Sequence, residues 1–248
     1  MNNKVSIVVP VYNAQSCIAD TIMSVLEQSY TDYELLLVDD SSTDESRKVM
    51  EQFISDKVTI LDNTEGKGAA GARNTGIRHA EGRYIAFIDA DDLWVPDKLF
   101  KQIRFMTDNN AAFSFTGYEF ADEKGRGLGK TVKVPGTISY REALKNTTIF
   151  TSTVMFDMEK LCKDDIFMPG VKSEDTATWW KVLKKTGVAY GLDESLTLYR
   201  RMGSSLSSNK LEAIRRIWNL YRKTEHLGVL YSLYCFCNWA VHAVARRV

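Results

Sequence analysis

The 248-residue chain lacks the markers of several large protein classes. It has no net charge, because 32 Lys and Arg balance 32 Asp and Glu, so no global field draws it to nucleic acid and no nucleic-acid partner is expected. Its four cysteines contain no C-x-x-C pair, and its three histidines, His79, His226 and His242, are scattered. That argues against a zinc site. No uninterrupted apolar run reaches the length of a membrane span. The opening Met-Asn-Asn-Lys leads straight into a strand-like run without an apolar leader, so no signal peptide and a cytoplasmic location with reduced thiols are expected. Internal repeats and low-complexity tracts are missing too.

What is present suits a folded globular chain: 44% hydrophobic and 26% charged residues, with length enough for one large α/β domain and a small appendage. Charge is uneven, however. Residues 209–248 carry seven basic side chains against two acidic ones, a net of +5, so the remainder carries −5. An acidic body suggests a metal or sugar site, and a basic tail suggests an anionic partner surface.

Strand and helix alternate through the first half. Residues 5–11 (VSIVVPV) form a β-branched run fit for a strand buried on both faces. Residues 16–28 show helical spacing of Ile18, Ile22, Val25 and Leu26. Strands are expected at 33–38, 58–61 and 84–88, with helices opening at Ser42-Thr43-Asp44-Glu45, over 69–80, and from about Pro96 to Asn109. This alternation predicts a mostly parallel, Rossmann-like central sheet flanked by helices. After Ala111 the rhythm changes. Residues 112–120 and 188–199 read as strands, 122–133 as a loop or hairpin, and 173–185 as a helix. From Leu206 the chain reads as helices, giving a domain over 1–206, with halves 1–110 and 111–206, and a helical C-terminal extension over 207–248.

Ligands of open α/β sheets bind beyond the carboxyl ends of the strands. There the first strand ends Pro10-Val11-Tyr12-Asn13, the second Asp39-Asp40, and the fourth Asp89-Ala90-Asp91-Asp92. Carboxylates gathered at one edge repel one another unless a cation sits among them. Mg²⁺ or Mn²⁺ carrying a diphosphate meets that need, with one or two carboxylates as protein ligands. Any single acid here, Asp92 ahead of Pro96 for instance, also fits a helix cap. Gly66, Gly68 and Gly71 spell G-x-G-x-x-G, the dinucleotide fingerprint. Its place after the third strand and its polar residues Lys67, Arg73 and Asn74 argue against that reading. Those glycines still let backbone approach a ligand, and Arg73 offers a rigid donor fork to a nucleotide.

The runs SIVVPVYNA, LLLVDDSSTDES and GKGAAGARNTGIRHAEGRYIAFIDADDLWVPDKL resemble the nucleotide-binding half of family 2 glycosyltransferases, across about the first hundred residues. The resemblance implies a GT-A fold, a nucleotide-sugar donor of UDP type, a Mn²⁺ or Mg²⁺ cofactor, and inversion at the sugar. It implies Pro10, Tyr12 and Asp39 around the base, Arg73 facing the nucleotide, Asp89 on the ribose and Asp91 on the metal. Further on, Glu174-Asp175-Thr-Ala-Thr-Trp179 resembles the family's E-D-x-x-x-W helix, which implies Asp175 as general base and Glu174 and Trp179 beside the acceptor. An acceptor hydroxyl is a poor nucleophile, so a carboxylate must take its proton. Tyr199-Arg200 through Ser207 resembles a late segment that folds over the diphosphate, implying Arg200 and Ser205 as lid or phosphate contacts. The Q-x-x-R-W motif and membrane spans of the processive synthases are missing, which favours transfer of a single sugar. The pattern is most similar to bacterial transferases of surface polysaccharides, particularly the teichuronic-acid type, and implies a glycan or lipid-linked acceptor.

The tail over 227–248 is aromatic and flanked by arginines. Such a helix can lie in the interface of the inner membrane face, or pack on the catalytic domain or a second subunit. Two other functional readings stay open on sequence: a nucleotidyltransferase making an activated sugar, and a catalytically silent sugar-nucleotide binding module. Against the first, VYNAQS replaces the glycine-rich basic loop after the first strand, and against the second, Asp91 and Asp175 are intact.

Overall fold

A computed structural model describes residues 3–201 and 210–245. The first half follows the expected alternation, with one short strand, β5, that was not foreseen: β1 (Val5–Val11), α1 (Ile18–Leu26), β2 (Tyr33–Asp39), α2 (Ser46–Glu51), β3 (Val58–Asp62), α3 (Ala69–His79), β4 (Tyr84–Phe87), β5 (Leu93–Trp94) and α4 (Lys98–Asp108). The second half holds β6 (Phe113–Ala121), β7 (Gly127–Val132), β8 (Thr137–Ser139), α5 (Tyr140–Ala143), a 3-10 turn at Thr151–Thr153, β9 (Met155–Asp157), α6 (Lys163–Ile166), α7 (Glu174–Thr186) and β10 (Val188–Arg200). α8 (Lys210–Asn219), a π-helical turn (Leu220–Thr224) and α9 (Val229–Ala245) make the C-terminal extension.

The strands form one sheet in the order β3-β2-β1-β4-β9-β6-β10-β5, with β7 on β6 and β8 on β10. β1 pairs in parallel with β2 and β4, and β2 with β3. β9 runs antiparallel to both β4 and β6. β6 therefore runs the same way as β1, and so does its parallel partner β10. The carboxyl ends of β1, β2, β4, β6 and β10 consequently share one edge.

Period-two alternation inside the apolar runs explains why both faces of the sheet can be covered. Ile7, Val9 and Val11 of β1, with Leu35 and Leu37 of β2, enter a core shared with Ile18, Ile22 and Val25 of α1 and Leu99, Ile103 and Met106 of α4. Val8, Leu36 and Val38 point the other way, into a core shared with Ala72 and Ile77 of α3 and Trp179, Trp180 and Leu183 of α7. The second core also takes Ile217, Leu220, Tyr221 and Cys235, so the extension is seated on it. Trp180 stacks on Tyr221 with centroids 5.5 Å apart, and Trp239 donates to Thr147 Oγ1 at 3.1 Å.

One local expectation needs correction, and a further strand was not foreseen. The second helix begins at Ser46, later than its Ser42-to-Glu45 signature suggests. Those polar side chains instead fasten the β1–α1 loop: Asn13 N–H donates to Ser42 Oγ (3.2 Å), Thr43 N–H to Asn13 Oδ1 (2.8 Å) and Gln15 N–H to Asp44 Oδ2 (3.1 Å). The three-residue β9, which no periodicity could announce, is the antiparallel wedge that joins the two halves of the sheet.

Candidate active site

At the carboxyl edge, β1 delivers Pro10, half-buried, and Tyr12, 52% exposed and open to a ligand. The adjacent Asp39-Asp40 pair is buried. Asp39 accepts the Ser42 N–H at 3.0 Å and lies 3.7 Å from Arg47. Asp40 reaches the glycine-rich loop, where it accepts from Asn63 Nδ2 (2.6 Å) and Gly68 N–H (2.8 Å). That organising role was not foreseen for Asp40, although its place beside Asp39 was a signal. Gly66 and Gly68 have φ of +102° and +105°, and a Cβ on Gly71 would meet the Gly66 carbonyl oxygen at 1.6 Å. The glycines thus serve a tight turn over the sheet edge.

α3 carries Arg73 and Asn74 from that turn to residues of the second half. Arg73 is buried, and its two terminal nitrogens reach Asp89 Oδ1 at 2.6 Å and Glu174 Oε1 at 3.0 Å. Asn74 exchanges two hydrogen bonds with the Met168 backbone, donating at 2.9 Å and accepting at 2.8 Å. The fork expected to face a nucleotide is therefore engaged by two carboxylates of the site. Burial, and then the neighbouring Asp175 charge, pushes the Glu174 carboxyl above the ordinary range, with Arg73 opposing.

The loop after β4 holds three aspartates in three environments. Asp89 pairs with Arg73. Asp91 is half-buried, and burial, followed by the charge of Asp89, raises its carboxyl pKa. Asp92 is fully buried, and burial together with Asp89 and Asp91 raises it further. Ser152 donates to Asp92 Oδ2 at 2.5 Å while its Oγ accepts the Asp89 N–H at 3.0 Å. The Ser152 carbonyl accepts from Trp94 Nε1 (2.7 Å) and Thr197 Oγ1 (3.2 Å). Ser152 was missed on sequence; the hydroxyl-rich run Thr147-Thr-Ile-Phe-Thr-Ser-Thr153 was the available signal.

Asp175 lies in the first turn of α7, where its Oδ2 accepts from Thr151 Oγ1 at 3.2 Å. Ser173, immediately before that helix, is left-handed at φ 60°, as are Asn13 (49°) and Ser41 (61°) at the ends of β1 and β2. Such strained backbone gathers at functional sites.

Two expected contacts move out of the site. Trp179 is 2% exposed and packs against Phe87, Phe113 and Phe156, so it is core and not an acceptor contact. Arg200 is equally buried, its guanidinium bonded to Asp20 (2.8 Å), to the Cys17 carbonyl (3.0 Å) and to the Asp91 carbonyl. It fastens the end of β10 to the aspartate loop and offers no phosphate ligand. Ser205 lies outside the described residues.

An acid-lined carboxyl edge, a glycine-rich turn and a separate carboxylate on the second half make up the arrangement expected of the GT-A fold. A family model, "Glycosyl transferase family 2", matches residues 6–167, and the chain belongs to that family. It is 42% identical to the putative teichuronic acid biosynthesis glycosyltransferase TuaG of Bacillus subtilis, over 98% of this chain and 97% of that one. It is 40% identical to the UDP-Glc:alpha-D-GlcNAc-diphosphoundecaprenol beta-1,3-glucosyltransferase WfgD of Escherichia coli, over 87% and 84%. Among solved structures, S. aureus TarS 1-349 in complex with UDP-GlcNAc superposes with a TM-score of 0.69 at 20% identity, covering 97% of this chain and 71% of that one. The mannosyltransferase PcManGT of Pyrobaculum calidifontis, in complex with GDP-Man and Mn²⁺, superposes at 0.71 and 20% identity, covering 99% and 75%. The fingerprint reading of the glycine loop as a nicotinamide site falls away with the family assignment.

Proposed function

We propose that this enzyme transfers one sugar from a UDP-sugar to a hydroxyl of a lipid-linked glycan in bacterial surface-polysaccharide synthesis, with inversion. The observation that carries the reading is the pair of carboxylates at one sheet edge: Asp91 beside the nucleotide strands and Asp175 on the acceptor half, held by Thr151. The names of TuaG and WfgD support the polysaccharide setting and the lipid-linked acceptor.

Pro10 and Tyr12 would flank the base, Asp39 would meet its ring N–H, and Asp89 the ribose. Among the described residues no cluster of three or more His, Cys, Asp or Glu could hold a metal alone. Mg²⁺ and Mn²⁺ need few carboxylate ligands and take the rest from substrate phosphates and water. Asp91 fits the role: it is half-buried on the same loop as Asp89, and the Arg200 guanidinium bonds its backbone carbonyl rather than its carboxylate. A divalent cation held there would supply charge neutralisation for the departing diphosphate. Asp175 removes the acceptor proton as the new bond to the anomeric carbon forms and the bond to the diphosphate oxygen breaks on the opposite face. UDP leaves, and an α-linked donor gives a β-glycoside.

A membrane location belongs to the same reading. The inner face of α9 packs on the domain, but Leu230, Leu233, Tyr234, Cys237 and Val241 line its outer face, with Leu230 84% and Val241 68% exposed. Both acids of the extension are neutralised, Glu212 by Lys172 (2.5 Å) and Arg216, Glu225 by Lys184 (3.0 Å). Arg215 and Lys223 of the same extension are exposed cations. That charge opposes pairing of two identical faces and favours anionic lipid. No helix among the described residues is long and apolar enough to cross a membrane.

The donor is tested by thermal shift and hydrolysis with UDP-, GDP- and dTDP-sugars, with Mn²⁺ or EDTA, on wild type and Asp91→Ala. UDP-sugars should stabilise the wild type only with the metal, and the variant should lose that response. Equal binding with EDTA and in the variant removes the metal from the mechanism; a preference for GDP or dTDP removes the uridine assignment.

A further inference from the structure

Four aromatic rings lie outside both hydrophobic cores. Tyr118 and Phe120 come from β6, Tyr199 from β10, and Phe150 from the segment before the 3-10 turn. Centroid separations are 5.1 Å for Tyr118–Phe150, 4.9 Å for Phe150–Tyr199 and 5.6 Å for Phe120–Tyr199. Phe120 is buried beneath the others, whereas Tyr118, Phe150 and Tyr199 are half-buried. Rings of this size leave water most effectively inside a core, so a cluster kept partly wet invites a ligand.

Its placement says which ligand. β6 and β10 run the same way as β1, so these rings stand at the same sheet edge as the aspartates. In the sheet order they lie beyond β4 and β9, away from the nucleotide strands. Phe150 precedes Thr151, whose hydroxyl holds Asp175. Tyr199 precedes Arg200, whose N–H donates to Asp92 at 3.3 Å. The cluster is thus tied to the proposed base on one side and to the aspartate loop on the other. The Arg201 guanidinium lies 4.2 Å from the Phe120 ring centroid, adding a polar rim.

A pyranose has an apolar face of C–H bonds and a rim of hydroxyls. The negative π face of an aromatic ring attracts those C–H bonds and leaves the hydroxyls for polar neighbours. We propose that Tyr118, Phe150 and Tyr199 form a stacking wall for the pyranose ring of the acceptor, turning its nucleophilic hydroxyl toward Asp175. This deepens the reading of Asp175 as base and rests on it.

The test uses methyl glucoside, methyl galactoside and methyl N-acetylglucosaminide as probes, with Mg²⁺ and UDP present. In saturation-transfer NMR, irradiating aromatic protons should mark one C–H face of at least one probe. Phe150→Leu and Tyr118→Leu, which keep apolar bulk but remove the ring, should cut the transfer at least fivefold, and Phe150→Tyr should retain it. Wild-type protein carrying 3-fluorotyrosine guards against variants that fail to fold: fluorine signals of Tyr118 and Tyr199 should shift on adding the probe, and that of the core residue Tyr221 should not. No transfer to any probe, unchanged leucine variants, or shifts confined to other tyrosines overturns the wall. UDP binding is measured in the same samples, so its loss marks failure of the donor reading, and its presence without pyranoside contact marks failure of the wall alone.

Discussion

Asp92 has no exposure to water, two aspartates of its own loop nearby, and a hydroxyl rather than a cation at its oxygen. Its carboxyl pKa is raised well above the ordinary value, first by burial and then by Asp89 and Asp91. Between the ordinary aspartate value of about 3.9 and the raised one, the native chain holds a proton that the unfolded chain has lost. Stability should therefore fall as pH rises through that window, with the loss complete above the raised value. Asp92→Asn is expected to flatten this slope in thermal melts in EDTA between pH 4 and 8; a slope as steep as the wild type's would locate the effect elsewhere. Asp175 differs in kind, because it is half-buried and its oxygen takes a side-chain hydroxyl. Asp175→Asn keeps the shape and removes the proton acceptor, so transfer should drop by roughly 10²–10⁴-fold. UDP affinity should hardly change. Normal transfer rates, or a product of retained configuration, would end its assignment as base in a single displacement.

α3 acts as the joint between the two halves. Its first turn is shaped by glycine, Arg73 clamps Asp89 and Glu174, and Asn74 clamps Met168. Removing the guanidinium leaves two carboxylates facing each other across a largely dry space. Arg73→Met should cost roughly 2–4 kcal/mol in denaturant unfolding, below the full range for a buried pair because both acids keep some water contact. An additional Glu174→Gln should recover part of that loss by removing one of the stranded charges. If the double variant is no more stable than Arg73→Met, the pairing energy does not reside there.

For the whole molecule, the extension belongs to the second core through Ile217, Leu220, Tyr221 and Cys235. Deleting residues 210–248 would strip Trp180 of its stacking partner and expose the face of α7, so truncation should lower the thermal midpoint sharply. The outer face of α9 makes a different prediction. Leu230→Ser with Leu233→Ser should leave the midpoint within a degree or two, since exposed positions contribute little to folding. The same variant should lose roughly tenfold or more in binding to vesicles containing phosphatidylglycerol, at about 1–2 kcal/mol per leucine. Wild-type protein that ignores such vesicles, or a variant that binds as well, would refute the membrane assignment.

Sequence periodicity alone determined the alternation from β1 to α4, because an apolar run with both faces buried must be covered on both sides. The linked motifs at Asp39, Arg73 and Asp91 carried the resemblance that the family match over residues 6–167 bears out. A motif carries a residue's position along the chain, but not which way its side chain turns. Only the tertiary structure decided that Arg73 would hold Asp89 and Glu174, that Trp179 would join the core, and that Arg200 would be locked under the aspartate loop. It likewise decided the roles of Asp40 and Ser152, whose partners lie 23 to 63 residues away along the chain. β9 was illegible for a related reason: three residues hold no period, and their place is set by the strands on either side. The aromatic wall is the last example, since Tyr118, Phe150 and Tyr199 meet only because β9 turns β6 and β10 parallel to β1.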